Sequence, residues 1–187
     1  MARKKAYIEA EVIEKAMDLF WRNGYKNTSV RMLEEEMGIN QFSIYASFGN
    51  KQGVFLESVK VYKKNLDSIR HKLNASQNGV IGIKQFFYDF VTFTNGKGIQ
   101  KGCLVCNTVG ELGEKTKPDV MIELMKFTNE IRILFVNNLK QDPNKTAKTV
   151  ERQANFLMTC MLGLSLGSRI LNKKQLTDYI ETTFEQI

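Results

Sequence analysis

The chain has 187 residues and a formal net charge of +7, with 43% hydrophobic residues, two prolines and three cysteines. Its longest apolar run, Phe156 to Gly167, is interrupted by Thr159, Gly163 and Ser165 and falls short of a membrane span; the basic start Arg3-Lys4-Lys5 runs into Glu9, Glu11 and Glu14 rather than into the apolar core of a signal peptide. A soluble, cytoplasmic, all-α protein is therefore expected, built as one domain or as a small head on a larger body.

In chain order, Ile8, Val12, Ile13, Ala16, Leu19 and Phe20 form one face of a first helix, which Asn23-Gly24 ends. Thr28 and Ser29 are N-cap candidates for a second helix carrying Val30, Leu33 and Met37. Gly38 stands where a left-handed C-cap costs glycine almost nothing. Asn40 can cap a third helix, whose stripe Ile44, Tyr45 and Phe48 leaves Gln41, Phe42, Ser43 and Ala46 outward. Gly49-Asn50 closes it. Two short helices joined by a tight glycine turn are the layout of a helix-turn-helix, whose second helix can lie in the major groove of DNA.

From Lys51 to Leu73, a near-heptad stripe of Phe55, Val59, Tyr62, Leu66, Ile69 and Leu73 predicts one long helix linking head to body. Asn74 to Gly82 reads as a loop. Ile83, Phe86, Phe87, Phe90, Val91 and Phe93 make an aromatic helix ended by Asn95-Gly96-Lys97-Gly98, and Cys103 to Leu112 is a short apolar segment. Pro118 opens a helix with Met121, Leu124, Met125, Thr128, Ile131 and Phe135, and Asp142-Pro143-Asn144 is a turn. The helix from about Thr146 to Leu171 carries two stripes. One is Ala154, Leu157, Met158, Met161, Leu162 and Ser165; the other is Phe156, Cys160, Gly163, Gly167 and Leu171. Two stripes imply burial on two sides, either against a second subunit or inside the monomer. A terminal helix, about Lys174 to Phe184, carries Leu176, Tyr179, Ile180 and Phe184.

Residues 8–55 resemble the DNA-binding domain of the TetR/AcrR family of bacterial transcriptional regulators. The matching pieces are Ala16, Leu19-Phe20, Gly24-Tyr25 and Thr28-Ser29-Val30, then Gly38-Ile39-Asn40, Ser43-Ile44-Tyr45, Phe48 and Asn50-Lys51. Glu34 to Glu36, Gln41 and Ala46 depart from the family's usual residues. The resemblance implies a helix-turn-helix head over residues 1–50 and a helical ligand-binding and dimerisation body over 51–187. It also implies that the last two long helices pair into a four-helix bundle across a two-fold axis, which would place Phe156, Cys160, Gly163, Gly167, Leu171 and Tyr179 at a homodimer interface. The function implied is a ligand-responsive transcriptional regulator, a repressor that binds a palindromic double-stranded DNA operator and is released by a small molecule. No cofactor, metal or enzymatic activity is expected.

Within that frame, Asn40, Gln41, Phe42, Ser43 and Ala46 would face the groove, Gln41 pairing with adenine and Phe42 and Ala46 touching a thymine methyl. Thr28, Arg31, Tyr45, Ser47 and Lys51 would hold phosphates, with Ser29 beside them and Arg3, Lys4, Lys5 and Lys26 flanking. Tyr45 reads equally as a packed aromatic. Residues 1–51 hold 8 Lys/Arg against 7 Asp/Glu, so bulk charge does not single out the head, and the glutamate trio must point away from DNA or pair with a base. Phe86, Phe87, Phe90, Cys103, Met121, Met125, Phe127 and Phe156 offer the surface of an apolar ligand pocket or of a plain core. Cys103-Leu-Val-Cys106, with Cys160, admits a thiol switch or buried small hydrophobes; His71 reads as a surface residue. A helical protein-interaction adaptor is the competing class.

Overall fold

A computed structural model describes residues 7–95, 100–113, 118–185 and 187. The described residues form ten helices and no strand: α1 (Glu9–Asn23), α2 (Val30–Met37), α3 (Gln41–Phe48), α4 (Lys51–Asn65), α5 (Asp67–Ala75), α6 (Gly79–Thr94), α7 (Leu104–Leu112), α8 (Pro118–Leu139), α9 (Ala147–Gly167) and α10 (Lys173–Glu185). None of these is long and apolar enough to cross a membrane.

Side-chain caps set the boundaries in the head. Ser29 Oγ accepts from the Met32 amide at 3.1 Å, Asn40 Oδ1 from Ser43 at 2.9 Å and Asn50 Oδ1 from Gly53 at 3.0 Å, each satisfying an amide that the helix cannot. Gly38 sits at φ 70°, the left-handed region, and turns the chain from α2 into α3. Leu33, Met37 and Ile44 are buried where α1, α2, α3 and α4 meet.

The expected single helix Lys51–Leu73 is bent at Leu66. There the amide is shared between the Tyr62 and Lys63 carbonyls, at 3.2 and 3.1 Å, and this shorter i→i+3 bond tightens the turn. Lys63 before the bend and Arg70 after it both reach Glu130 on α8, at 3.2 and 2.9 Å, so one carboxylate holds the two segments at a fixed angle. The expected loop Asn74–Gly82 shrinks to three residues, because α5 runs to Ala75 and α6 starts at Gly79.

Part of the second stripe on α9 faces its own chain. Cys160 and Gly167 are buried, the Tyr179 hydroxyl donates to the Cys160 carbonyl at 2.8 Å, and a Cβ on Gly163 would stand 2.9 Å from that hydroxyl. Cys160, Gly163, Gly167, Leu171 and Tyr179 lie where α10 seats closely on α9 within the chain, with Gly163 still exposed and Leu171 and Tyr179 half-buried. The sequence shows where a second helix can approach, not whose helix it is. Outward on α9 and just past its end lie Phe156, Leu162, Leu166 and Ile170, between 43% and 75% exposed.

Two residues of α3 separate packing from surface. Ile44→Ala removes a fully buried side chain and should cost about 2–5 kcal/mol in urea unfolding. Phe42→Ala, at a site 82% exposed, should change stability by no more than about 0.5 kcal/mol.

Candidate nucleic-acid interface and body cavity

The three-residue turn and the buried Ile44 force the opposite side of α3 outward. Gln41, Phe42, Tyr45 and Ala46 are exposed there, and the Phe42 ring projects from a helix of only eight residues. Ser43 and Ser47 are half-covered by Tyr7, whose hydroxyl donates to the Ser43 carbonyl at 3.2 Å and shares a 2.7 Å bond with Ser47 Oγ. Tyr7 thus braces α3 from the side, a contact with no local signal in the sequence.

Each glutamate of the trio has a partner. Glu34 accepts from the Gln41 amide and adds a second cap to α3. Glu35 pairs with Arg31 at 3.1 Å and Glu36 with Arg22 at 3.1 Å. Exposed pairs of this kind contribute little stability, but they cancel charge that would otherwise repel phosphate. Arg31 keeps 86% of its side chain exposed. One expectation for a phosphate ligand is corrected. Thr28 is fully buried and its hydroxyl donates to the Gly24 carbonyl at 2.7 Å, so it serves the chain and not a ligand. Lys51 lies over the Tyr25 ring at 4.6 Å and donates to the Lys26 carbonyl at 3.4 Å. Burial lowers its pKa, with the Glu111 carboxylate opposing that shift, and its ammonium belongs to the seam between head and body. Arg3, Lys4 and Lys5 lie outside the described residues.

In the body, a narrow, partly open apolar cavity lies between α6, α7, α8 and α9. Its walls include Leu66, Phe86, Phe90, Cys103, Val105, Cys106, Phe127, Ile131, Met158, Met161 and Leu162. Only about 40 Å³ of it is wide enough for a water. Of the expected lining, Phe86, Phe90, Cys103 and Phe127 reach it. Phe87 packs on Phe135 and Phe184 in the core, Met121 lies away from the cavity, and Met125 and Phe156 point to solvent. Leu66, Met158, Met161 and Leu162 complete the walls; their helical spacing alone did not separate pocket from core. A larger cleft of about 650 Å³ runs between head and body, but it is open and carries Glu9, Glu57, Asp119 and Glu123, so it encloses nothing apolar.

Cys103 closes one end of the cavity. Burial pushes its thiol up, yet hydrogen bonds from the Cys106 thiol, the Tyr62 hydroxyl at 3.4 Å and the backbone amides of Cys106 and Val105 outweigh burial and bring it down to about 7. Cys106 is driven the other way, by its bond to Cys103 and by burial. The pair is one acceptor and one donor.

Residues 12–58 match the family model described as bacterial regulatory proteins, tetR family. The chain is 29% identical over 112 residues to the HTH-type transcriptional regulator YezE of Bacillus subtilis (strain 168), covering 59% of this chain and 58% of that protein. It is 42% identical over 53 residues to the HTH-type transcriptional repressor ComR of Escherichia coli (strain K12), covering 28% and 25%. The chain thus spans under two thirds of both of these relatives. Among solved structures, a cysteine mutant of the TetR family transcriptional regulator CifR, complexed with 26 bp double-strand operator DNA, superposes with a TM-score of 0.85 at 26% identity over 98% of each chain. The reduced form of Escherichia coli NemR shares the fold, with a TM-score of 0.76 at 15% identity over 95% of this chain and 94% of that one.

The thiol geometry has a pH signature. Alkylation of Cys103 by iodoacetamide, read by peptide mass spectrometry, should rise with pH through a midpoint near 7, as the thiolate forms. Tyr62→Phe removes a donor and should move that midpoint up; an unchanged midpoint would refute the tyrosine's part.

Proposed function

We propose that this chain, whose residues 12–58 match the tetR family model, is a cytoplasmic transcriptional repressor of that family, not an enzyme, that binds a palindromic operator as a homodimer and leaves it when a small molecule enters the body cavity. The observation that carries this reading is the solvent face of α3, where Gln41, Phe42, Tyr45 and Ala46 stand exposed on a capped and braced helix. An aromatic ring 82% exposed has no role in the monomer's own packing. Against a major groove it finds thymine methyls, while the Gln41 amide fits the adenine edge. Ser29, Arg31 and Tyr45 then lie where phosphates would fix the register.

A single eight-residue helix reads few bases, so a second copy is required for an affinity worth having. The outer face of α9, with Phe156, Leu162, Leu166 and Ile170, supports a two-fold contact between copies. The cavity supports an effector that is small and largely apolar, since its walls offer hardly a polar atom. A second reading, regulation by thiol chemistry, is favoured by one observation: Tyr62 and the first amides of α7 hold Cys103 toward its thiolate form.

Selection from a random duplex library should return an inverted repeat whose half-sites are one or more helical turns of about 34–36 Å apart. Gln41→Ala should alter preference at one base position by about 1–3 kcal/mol, whereas Arg31→Ala should weaken all sequences alike and reduce the salt slope by about 1. If no duplex is bound above random background even at low salt, the adaptor reading takes its place. In sedimentation, the wild type should run as a dimer at micromolar concentration and Leu166→Glu/Ile170→Glu as a monomer; a monomeric wild type would exclude the dimer.

A further inference from the structure

Helix α7 is nine residues long and links two sites. At its start, Cys103, Val105 and Cys106 form one wall of the body cavity. Near its end, Glu111 reaches the head. The carboxylate accepts from the backbone amides of Tyr25 and Lys26, at 2.7 and 2.5 Å, and the Lys26 ammonium donates back to the Glu111 carbonyl at 2.5 Å. Hydrogen bonds to an ionised acceptor are roughly twice as strong as neutral ones. These two amides belong to the turn that leads from α1 to α2.

The turn is shaped for this grip. Gly24 lies at φ 81°, and a Cβ there would stand 2.8 Å from a Glu111 oxygen, so only glycine both adopts the conformation and clears the carboxylate. Tyr25, next in the chain, packs on Phe20 and Phe55, and Lys51 at the start of α4 covers its ring. The carboxylate is thereby tied to the first two helices of the head and to the link into the body. Two further bonds fasten the segment before α7 along α1: Trp21 Nε1 donates to the Gly102 carbonyl at 2.9 Å, and Lys101 pairs with Asp18 at 2.9 Å.

The cavity makes this arrangement consequential. With only about 40 Å³ wide enough for a water, it is too narrow for a drug-sized ligand until a wall moves. The other long walls, α8 and α9, have 22 and 21 residues and pack on each other, whereas α7 has nine. We propose that Glu111 couples the cavity to the DNA-binding head: when the cavity fills, α7 shifts, and Glu111 drags or releases the Tyr25–Lys26 turn and with it the placement of α2 and α3. This rests on the reading above that the body cavity controls operator binding.

The test uses the full chain and its selected operator, with a bulky side chain as the cavity probe in place of an unidentified effector. Met161→Trp overfills the cavity, with Met158→Trp as the substitute if thermal melting shows that the first does not fold. In the wild-type background the tryptophan should weaken operator binding by about tenfold or more. In an E111A background the same substitution should cost less than about threefold, with E111Q, which keeps one acceptor, in between. In parallel, amide hydrogen exchange at Tyr25 and Lys26 should accelerate at least about tenfold in E111A, while exchange in the buried middle of α1 stays the same. Equal losses in both backgrounds, or unchanged exchange at the two amides, overturn the coupling role and leave the repressor reading standing. Operator binding by the wild type with no loss from the tryptophan removes control by the cavity and this inference with it. Failure to bind any operator at all refutes the repressor reading first.

Discussion

Tyr62 is fully buried where the head meets the body, and its ring and hydroxyl serve different neighbours. The ring packs edge-on against Trp21 of α1 and Phe127 of α8, with centroids 5.1 and 6.1 Å apart, while Phe93 of α6 stands 5.7 Å away. The hydroxyl donates to Cys103 at 3.4 Å. One side chain of α4 therefore touches the head's core, the wall of the cavity and the thiol at its end. Aromatic pairs hold preferred angles as well as area, so these elements cannot shift independently. Head and body share a continuous core rather than a flexible joint.

That continuity explains why the electrostatics of the seam matter more than the net charge. The head is nearly neutral, and its glutamate trio is absorbed locally by Gln41, Arg31 and Arg22. Lys26 and Lys51, which look like phosphate ligands in the sequence, spend their charge on the Glu111 carbonyl and on the Tyr25 ring. On the proposed reading, affinity for DNA would depend on fewer cations than the composition suggests, and more on the uncharged face of α3. A reader built this way gains its specificity from groove contacts and shape.

Legibility followed the range of the interaction. Ser29, Gly38, Asn40 and Asn50 act within three or four residues, so their roles could be read directly, and the helix-turn-helix with them. The bend at Leu66 could not, because it depends on Glu130 some sixty positions away on α8. The small-residue stripe on α9 correctly signalled close approach, yet the approaching helix is α10 of the same chain. Thr28 was misread because a capping hydroxyl and a phosphate-binding hydroxyl look alike until burial separates them. Glu111 and Tyr7 have no local pattern at all; only the fold brings each to its partner.

The body cavity presents the last constraint. A core packed to ordinary density resists change, and a void this narrow is close to ordinary density. Its contents and its walls are therefore linked: any ligand of useful size enters by moving a helix, and the interaction energy of the ligand must cover that displacement. The free energy that opens the wall is the same free energy available to disturb the head. A roomier pocket would bind more easily and signal less. Under the proposed control by the cavity, a narrow apolar space beside Cys103, walled by the nine-residue α7 whose far end is gripped by the head, would favour response over affinity.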